Sequence, residues 1–173
     1  MPKLPDANLL EITKSDAKTI NSFRFGVHLY KTSGREIQEL TEDACKDRFE
    51  FAQRVLESAR MASKWSKPQH RVVLARAYYA MYHAARAVVF YSQRGDDFQE
   101  HSSLPKYIPK DFPDRDRWEN QIKLARLERN KADYDPYPKA DRAFAGTAKA
   151  VLGSAAEFLS ITRRYLSRKG CRL

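Results

Sequence analysis

The chain has 173 residues, 42% hydrophobic and 31% charged, with 32 basic against 22 acidic side chains and a net charge of +10. That length supports one folded domain with a real core, and the basic excess suits a polyanionic partner. With only 6 glycines and neither a GxGxxG nor a GxxxxGK[ST] string, the composition disfavours a glycine-rich α/β nucleotide enzyme and points to helices.

Residues 1–34 carry two early prolines, the polar stretch TKSDAKT and the aromatic piece FRFGVHLYKTSG, and are expected to form an irregular or short-element N-terminal extension. From Arg35 the pattern becomes helical. Leu40, Phe49, Ala52, Leu56 and Ala59 recur near helical spacing until the break at SKPQH, and a second helix follows Pro68 to about Gly95. The second helix is apolar around most of its circumference, through Ala75, Tyr78, Met81, Ala85, Val88 and Val89, which marks it as central. Pro105, Pro109 and Pro113 impose a loop with a helical turn near Ser102 to Tyr107. A third helix is expected from Asp114 to Tyr134, halted by DPYP, and a fourth from Lys139 to Arg168. The expected fold is all-α: an up-and-down antiparallel bundle of four long helices plus short helical turns, over residues 35–173.

No apolar run approaches the ~18 residues of a membrane span, and the amino end lacks a basic stretch leading into an apolar one, so a soluble, cytoplasmic chain is expected. Cys45 and Cys171 lie far apart without CxxC spacing and are expected to be reduced thiols. No metal site and no cofactor are expected.

Three constellations carry chemistry. On the second helix Arg76, Tyr79, His83 and Arg86 fall within roughly 80° of one another, in a stripe shared with Val72 and Phe90. Such a mixed stripe either meets buried partners or lines a cleft, and His83 is either a packed core histidine or an imidazole between guanidiniums. On the third helix Arg126, Arg129 and Asp133 fall within about 60°, beside the flank Leu124, Leu127 and Tyr134. Here Arg129 either pairs with Asp133, worth only about 0.3 kcal/mol at this spacing, or clamps a phosphate with Asp133 or Tyr134 positioning it. His101, next to Ser102 at the mouth of the proline-rich loop, either serves a helical cap or closes over the same cleft. The basic carboxyl end, TRRYLSRKGCRL, reads as a solvated last turn complementing the helix dipole. No paired carboxylates, HExxH, GxSxG or Ser–His–Asp grouping stands out.

The strings YYAMYHAA at Tyr78–Ala85 and RNKADY at Arg129–Tyr134 together resemble the HEPN family, the higher eukaryotes and prokaryotes nucleotide-binding domain, over about Arg35 to Arg168. The resemblance implies an up-and-down bundle that usually dimerises, and a partnership with a minimal nucleotidyltransferase in toxin–antitoxin or defence modules. Ribonuclease members carry an arginine followed four to six residues later by a histidine, and the dimer joins two such motifs to cut RNA without metal. Here Arg129 and Asn130 match the start of that motif, but Lys131, Ala132, Asp133 and Tyr134 follow without a histidine. Either His83 or His101 substitutes, or the domain binds without cutting. The candidate catalytic residues are therefore Arg129, His83 and Asp133, and the candidate RNA or nucleotide contacts are Arg76, Tyr79, Arg86, His101, Arg126, Asn130 and Tyr134. The rival reading is a non-enzymatic module that pairs with a nucleotidyltransferase. A homodimer is expected through the helices carrying Arg86 and Arg129.

Overall fold

Most helix breaks fall where the sequence places a proline, a glycine or a capping side chain. The computed structural model describes residues 5–173, and six α-helices run through them: α1 (Asp6–Lys14), α2 (Ala17–Ser33), α3 (Ile37–Ser63), α4 (His70–Gln93), α5 (Arg115–Tyr134) and α6 (Ala145–Arg168). Two 3-10 turns, Leu104–Tyr107 and Asp141–Phe144, complete the regular structure, and no strand occurs among the described residues. The chain divides into two units, Met1–Thr41 and Glu42–Leu173.

The N-terminal stretch differs from the irregular extension expected of it. Asp16 accepts a hydrogen bond from the Thr19 amide at 2.8 Å and starts α2, and Gly34 closes it at φ +68°, its amide donating to the Tyr30 carbonyl. A left-handed closing residue is the ordinary role of glycine, so the Ser33-Gly34 break is a helix stop. No residue of α1 or α2 is buried, so these helices carry none of the core-facing periodicity from which helices are read in sequence. Residues 1–4 of the expected extension lie outside the described residues.

The second unit is the all-α bundle expected from the four long helices. Its axis is α4, buried at thirteen positions from Val73 to Tyr91, and Ala77, Ala80, Ala84, Ala85 and Ala87 keep its surface low enough for neighbours to approach closely. α6 and α5 pack on it, and Cys45, Phe49, Ala52, Val55, Leu56 and Ala59 of α3 join the same core. Between α5, α6 and the proline-rich loop, Trp118, Phe112, Phe158 and Tyr165 form an aromatic cluster with centroid separations of 5.0–5.7 Å. The fourth helix begins six residues later than expected, because Asp141–Phe144 forms a 3-10 turn. No helix among the described residues is long and apolar enough to cross a membrane.

The bundle's closing clamp spans distant sequence. Gln69 gives no side-chain cap to α4. Asp141 does so instead, its carboxylate accepting from the amides of His70 at 2.6 Å and Arg71 at 3.1 Å. Arg71 in turn donates to the carbonyls of Ala132, Asp135 and Pro138 at 2.6, 2.9 and 2.8 Å and lies 4.2 Å over the Phe144 ring. One charged pair thus fastens the start of α4 to the connection between α5 and α6. Asp141→Ala is expected to cost about 1–2 kcal/mol of stability, since two amides at a helix start lose their only acceptor. Thermal melting followed by circular dichroism checks this, and an unchanged melting temperature would refute it.

Candidate functional site

A buried tyrosine needs a partner for its hydroxyl, and α4 places Tyr78, Tyr79 and Tyr82 side by side. Tyr78 is fully buried and its hydroxyl lies 2.6 Å from His101 Nδ1. Tyr82 donates to the Gln99 carbonyl at 2.5 Å and stacks its ring on His101, with centroids 3.9 Å apart and planes 14° from parallel. These two contacts draw the loop onto α4 and set the His101 ring there.

Tyr79 meets α5 instead. Its hydroxyl accepts a hydrogen bond from Arg129 Nη2, while Arg129 Nη1 donates to Asn130 Oδ1 at 3.0 Å. The guanidinium carbon stands 4.8 Å from the Tyr79 ring centre, 5.6 Å from Tyr78 and 5.8 Å from Tyr134. Asp133 Oδ2 is 3.1 Å from Arg129 Nε, close enough for an ion pair, yet the N–H does not point at it and the buried Nε has no hydrogen-bond acceptor. We read the contact as charge pairing alone, which leaves one donor of a rigid fork uncommitted.

Tyr78, His101, Arg126, Arg129, Asn130 and Tyr134 line a cleft of about 360 Å³. Arg126 is half-buried there and has no hydrogen-bond or ion-pair partner among the described residues. Burial, and then the charges of Arg129, Arg126 and Arg86, hold the His101 imidazole below the ordinary histidine range, so the ring is neutral near pH 7. Burial also raises the Tyr78 phenol, so it stays protonated. A phenol is a better donor than a neutral imidazole, so Tyr78 donates to Nδ1 and the remaining ring proton sits on Nε2.

A second groove, of about 310 Å³, adjoins this one and is lined by Asp47, Arg48, Phe51, His83 and Arg86. His83 presents its ring to Phe51 in an edge-to-face contact, centroids 4.6 Å apart. Burial, then Arg86, His101 and Arg48, lowers the His83 pKa to about 4. Arg86 forms an ion pair with Asp96, which also takes Arg48 at 3.1 Å.

Of the residues singled out from sequence, the structure therefore gathers Arg126, Arg129, Asn130, Tyr134 and His101 in one cleft, with Tyr79 behind Arg129 and Asp133 at its side. His83 and Arg86 lie in the neighbouring groove, and Arg76 is exposed and lines neither. The imidazole beside Arg129 is that of His101. Sequence reasoning counted Tyr78 with the apolar core and did not single out Tyr82. Their i, i+4 spacing on a helix buried all round was the available signal, because each phenol hydroxyl had to find a polar partner.

The neutral His83 makes a pH prediction. Its unfolded pKa is 6.5 and its folded value about 4, so between those limits the unfolded chain binds a proton that the folded chain refuses. Its contribution to stability is complete above about pH 6.5 and is lost as the pH falls toward about 4. His101 adds a slope of the same sign. In His83→Gln the acid-side decline of melting temperature should be shallower than in the parent, and an equal slope would count against a neutral buried ring.

No curated protein and no solved structure shows significant similarity to this chain. A family model described as the HEPN domain matches residues 45–165, a span that holds both grooves and α4 through most of α6. The helical bundle, the α4 tyrosines and the Arg129–Asn130 pair all lie inside that match, and the chain belongs to the HEPN domain family.

Proposed function

We propose that the domain binds RNA or a nucleotide by its phosphate in the cleft between Arg126 and Arg129. The observation that carries this reading is Arg126: a half-buried guanidinium without a hydrogen-bond or ion-pair partner among the described residues, in the same cleft as the Arg129 guanidinium. An arginine left unpaired in a recess is poised for an anion, and the two forks match phosphate oxygens. Asn130 and the Nε2 proton of His101 add neutral donors. The contrast with Arg86 is instructive, because that guanidinium already has its carboxylate in Asp96.

The finer reading is a metal-independent ribonuclease in a toxin–antitoxin or defence module. His101 supports it, since it supplies beside Arg129 the imidazole that the segment following Arg129 lacks. Cleavage by the RNA's own 2′-hydroxyl needs a base for that proton and an acid for the departing 5′-oxygen. One imidazole serves one of those roles, and a homodimer that brings two clefts together supplies the other. Leu124, Leu127 and Tyr134, 53%, 55% and 72% exposed on α5, form an apolar stripe at the cleft's edge that suits such a dimer. The rival, a non-catalytic module that pairs with a minimal nucleotidyltransferase, draws on the Tyr78–His101 and Tyr79–Arg129 contacts as ties of the fold.

Arg126→Ala separates these readings, because it breaks no hydrogen bond or ion pair among the described residues. It should melt like the parent and lose about 1.5–3 kcal/mol of RNA binding, the value of a hydrogen bond to a charged group. Binding by the parent should fall steeply with salt as counterions are released. His101→Gln should keep binding and lose cleavage. An Arg126→Ala protein that binds RNA like the parent would remove the cleft from the proposal. Light scattering of Leu127→Glu tests the dimer, with the parent expected as a dimer at tens of micromolar and the variant as a monomer.

A further inference from the structure

The geometry points to a nucleobase subsite on Phe51, in the His83 groove, that takes a base of the same RNA strand whose phosphate lies at Arg126 and Arg129. This rests on the phosphate reading of the cleft and adds to it a ligand of more than one nucleotide, single-stranded where it crosses the two grooves.

Three observations carry the subsite. First, the grooves are joined by rings in contact rather than separated by a ridge of aliphatic side chains. The steps run 4.6 Å from Phe51 to His83, 6.4 Å from His83 to the near-parallel Tyr79, and 4.8 Å from Tyr79 to the Arg129 guanidinium. Tyr79 also packs edge-on against His101 at 5.9 Å, so its ring touches a lining imidazole of each groove.

Second, Phe51 is 44% exposed in a helix whose other large apolar neighbours, Phe49, Val55 and Leu56, are buried. Its open face has no ring stacked flat on it. His83 touches it edge-on, and Arg54 stands 5.8 Å from its centre while pairing with Glu50. An exposed aromatic face beside a cationic cleft is what a single-stranded base stacks on.

Third, the charges of this groove are already matched. Asp96 takes both Arg48 and Arg86, Asp47 on the groove wall supplies the second acidic side chain, and the neutral His83 adds no charge. A phosphate gains little there, whereas a flat, uncharged base gains apolar contact with Phe51 and a ring nitrogen of His83. The two grooves thus divide a nucleotide chain by chemistry, with phosphate at the unpaired guanidinium and base at the charge-balanced ring. Because every base has a π-face, the subsite should tolerate sequence and select for unpaired RNA.

The test compares two probes: a labelled single-stranded oligoribonucleotide of roughly eight nucleotides, and a nucleoside monophosphate too short to span both grooves. Phe51→Ala should weaken the oligonucleotide by about fivefold or more, the loss of one stacked base, and leave the monophosphate unchanged. Phe51→Trp should restore binding, with its indole fluorescence quenched by the oligonucleotide and not by the monophosphate. If Phe51→Ala binds the oligonucleotide like the parent, or weakens both probes equally, the subsite is wrong while the phosphate cleft stands. If the parent binds neither probe, both readings fall. Conversion of a dimeric parent to a monomer by Phe51→Ala would assign the ring to a subunit contact and overturn the subsite.

Discussion

The structure depends on one constraint: a helix buried around nearly its whole circumference carries four tyrosines, and each hydroxyl needs a polar partner. Tyr78 finds His101, Tyr79 finds Arg129, Tyr82 finds the Gln99 carbonyl, and Tyr91 finds the Lys169 carbonyl. The four bonds tie three segments to α4: the loop at Gln99 and His101, α5 at Arg129, and the chain after α6 at Lys169. An unmade bond of this kind costs about 1–3 kcal/mol, while ordering a loop costs about 1–2 kcal/mol per residue. Hydrogen bonds to two tyrosines do not order the long connection between α4 and α5. Burial of Leu104, Pro105, Ile108 and Phe112, at about 1.5–3 kcal/mol for a large apolar side chain, supplies most of that, and the tyrosines choose where the anchored loop sets His101.

That division explains what was legible in the sequence. Prolines and apolar periodicity report burial and chain breaks, so α3, α4 and α5 appear within about two residues of their true ends. α1 and α2 bury nothing and left no such trace, although Asp16 and Gly34 marked both ends of α2. The α5 side of the cleft was also legible, because Arg126, Arg129, Asn130 and Tyr134 share one helix and their relation follows from helical geometry. The relation of His83 to His101 was not. One lies on a helix and the other on a loop, and only the Tyr78 and Tyr82 contacts determine which imidazole stands beside Arg129. The Arg86 stripe left its alternatives open for a similar reason: its partner, Asp96, sits beyond the helix end, where periodicity has nothing to say.

The net charge of +10 is likewise not evenly available. Arg71 is committed to three carbonyls and Arg86 to Asp96. Arg115 reaches the carbonyls of Ile108 and Lys106 together with Asp116 and Glu119. These guanidiniums serve as multi-donor staples for chain segments that lack regular hydrogen bonding, which suits a planar fork with five N–H groups. What separates Arg126 from them is that it forms no hydrogen bond or ion pair among the described residues. A composition count cannot make that distinction, since it rests on carbonyls and carboxylates brought near by the fold.

The same local charge sets the protonation of the cleft, and it does so reversibly. His101 is neutral because burial and the cations Arg129, Arg126 and Arg86 oppose a further positive charge. An anion bound between Arg126 and Arg129 would offset those cations and favour the imidazolium. Phosphate binding and proton uptake by His101 are then coupled, each strengthening the other by the same free energy. Tyr78 bounds how far this goes: donating to Nδ1 it favours the neutral ring, and protonation requires its hydroxyl to rotate and accept instead. Burial and the surrounding cations thus hold the imidazole neutral, and on the phosphate reading the ligand's own charge is what would make that imidazole an acid.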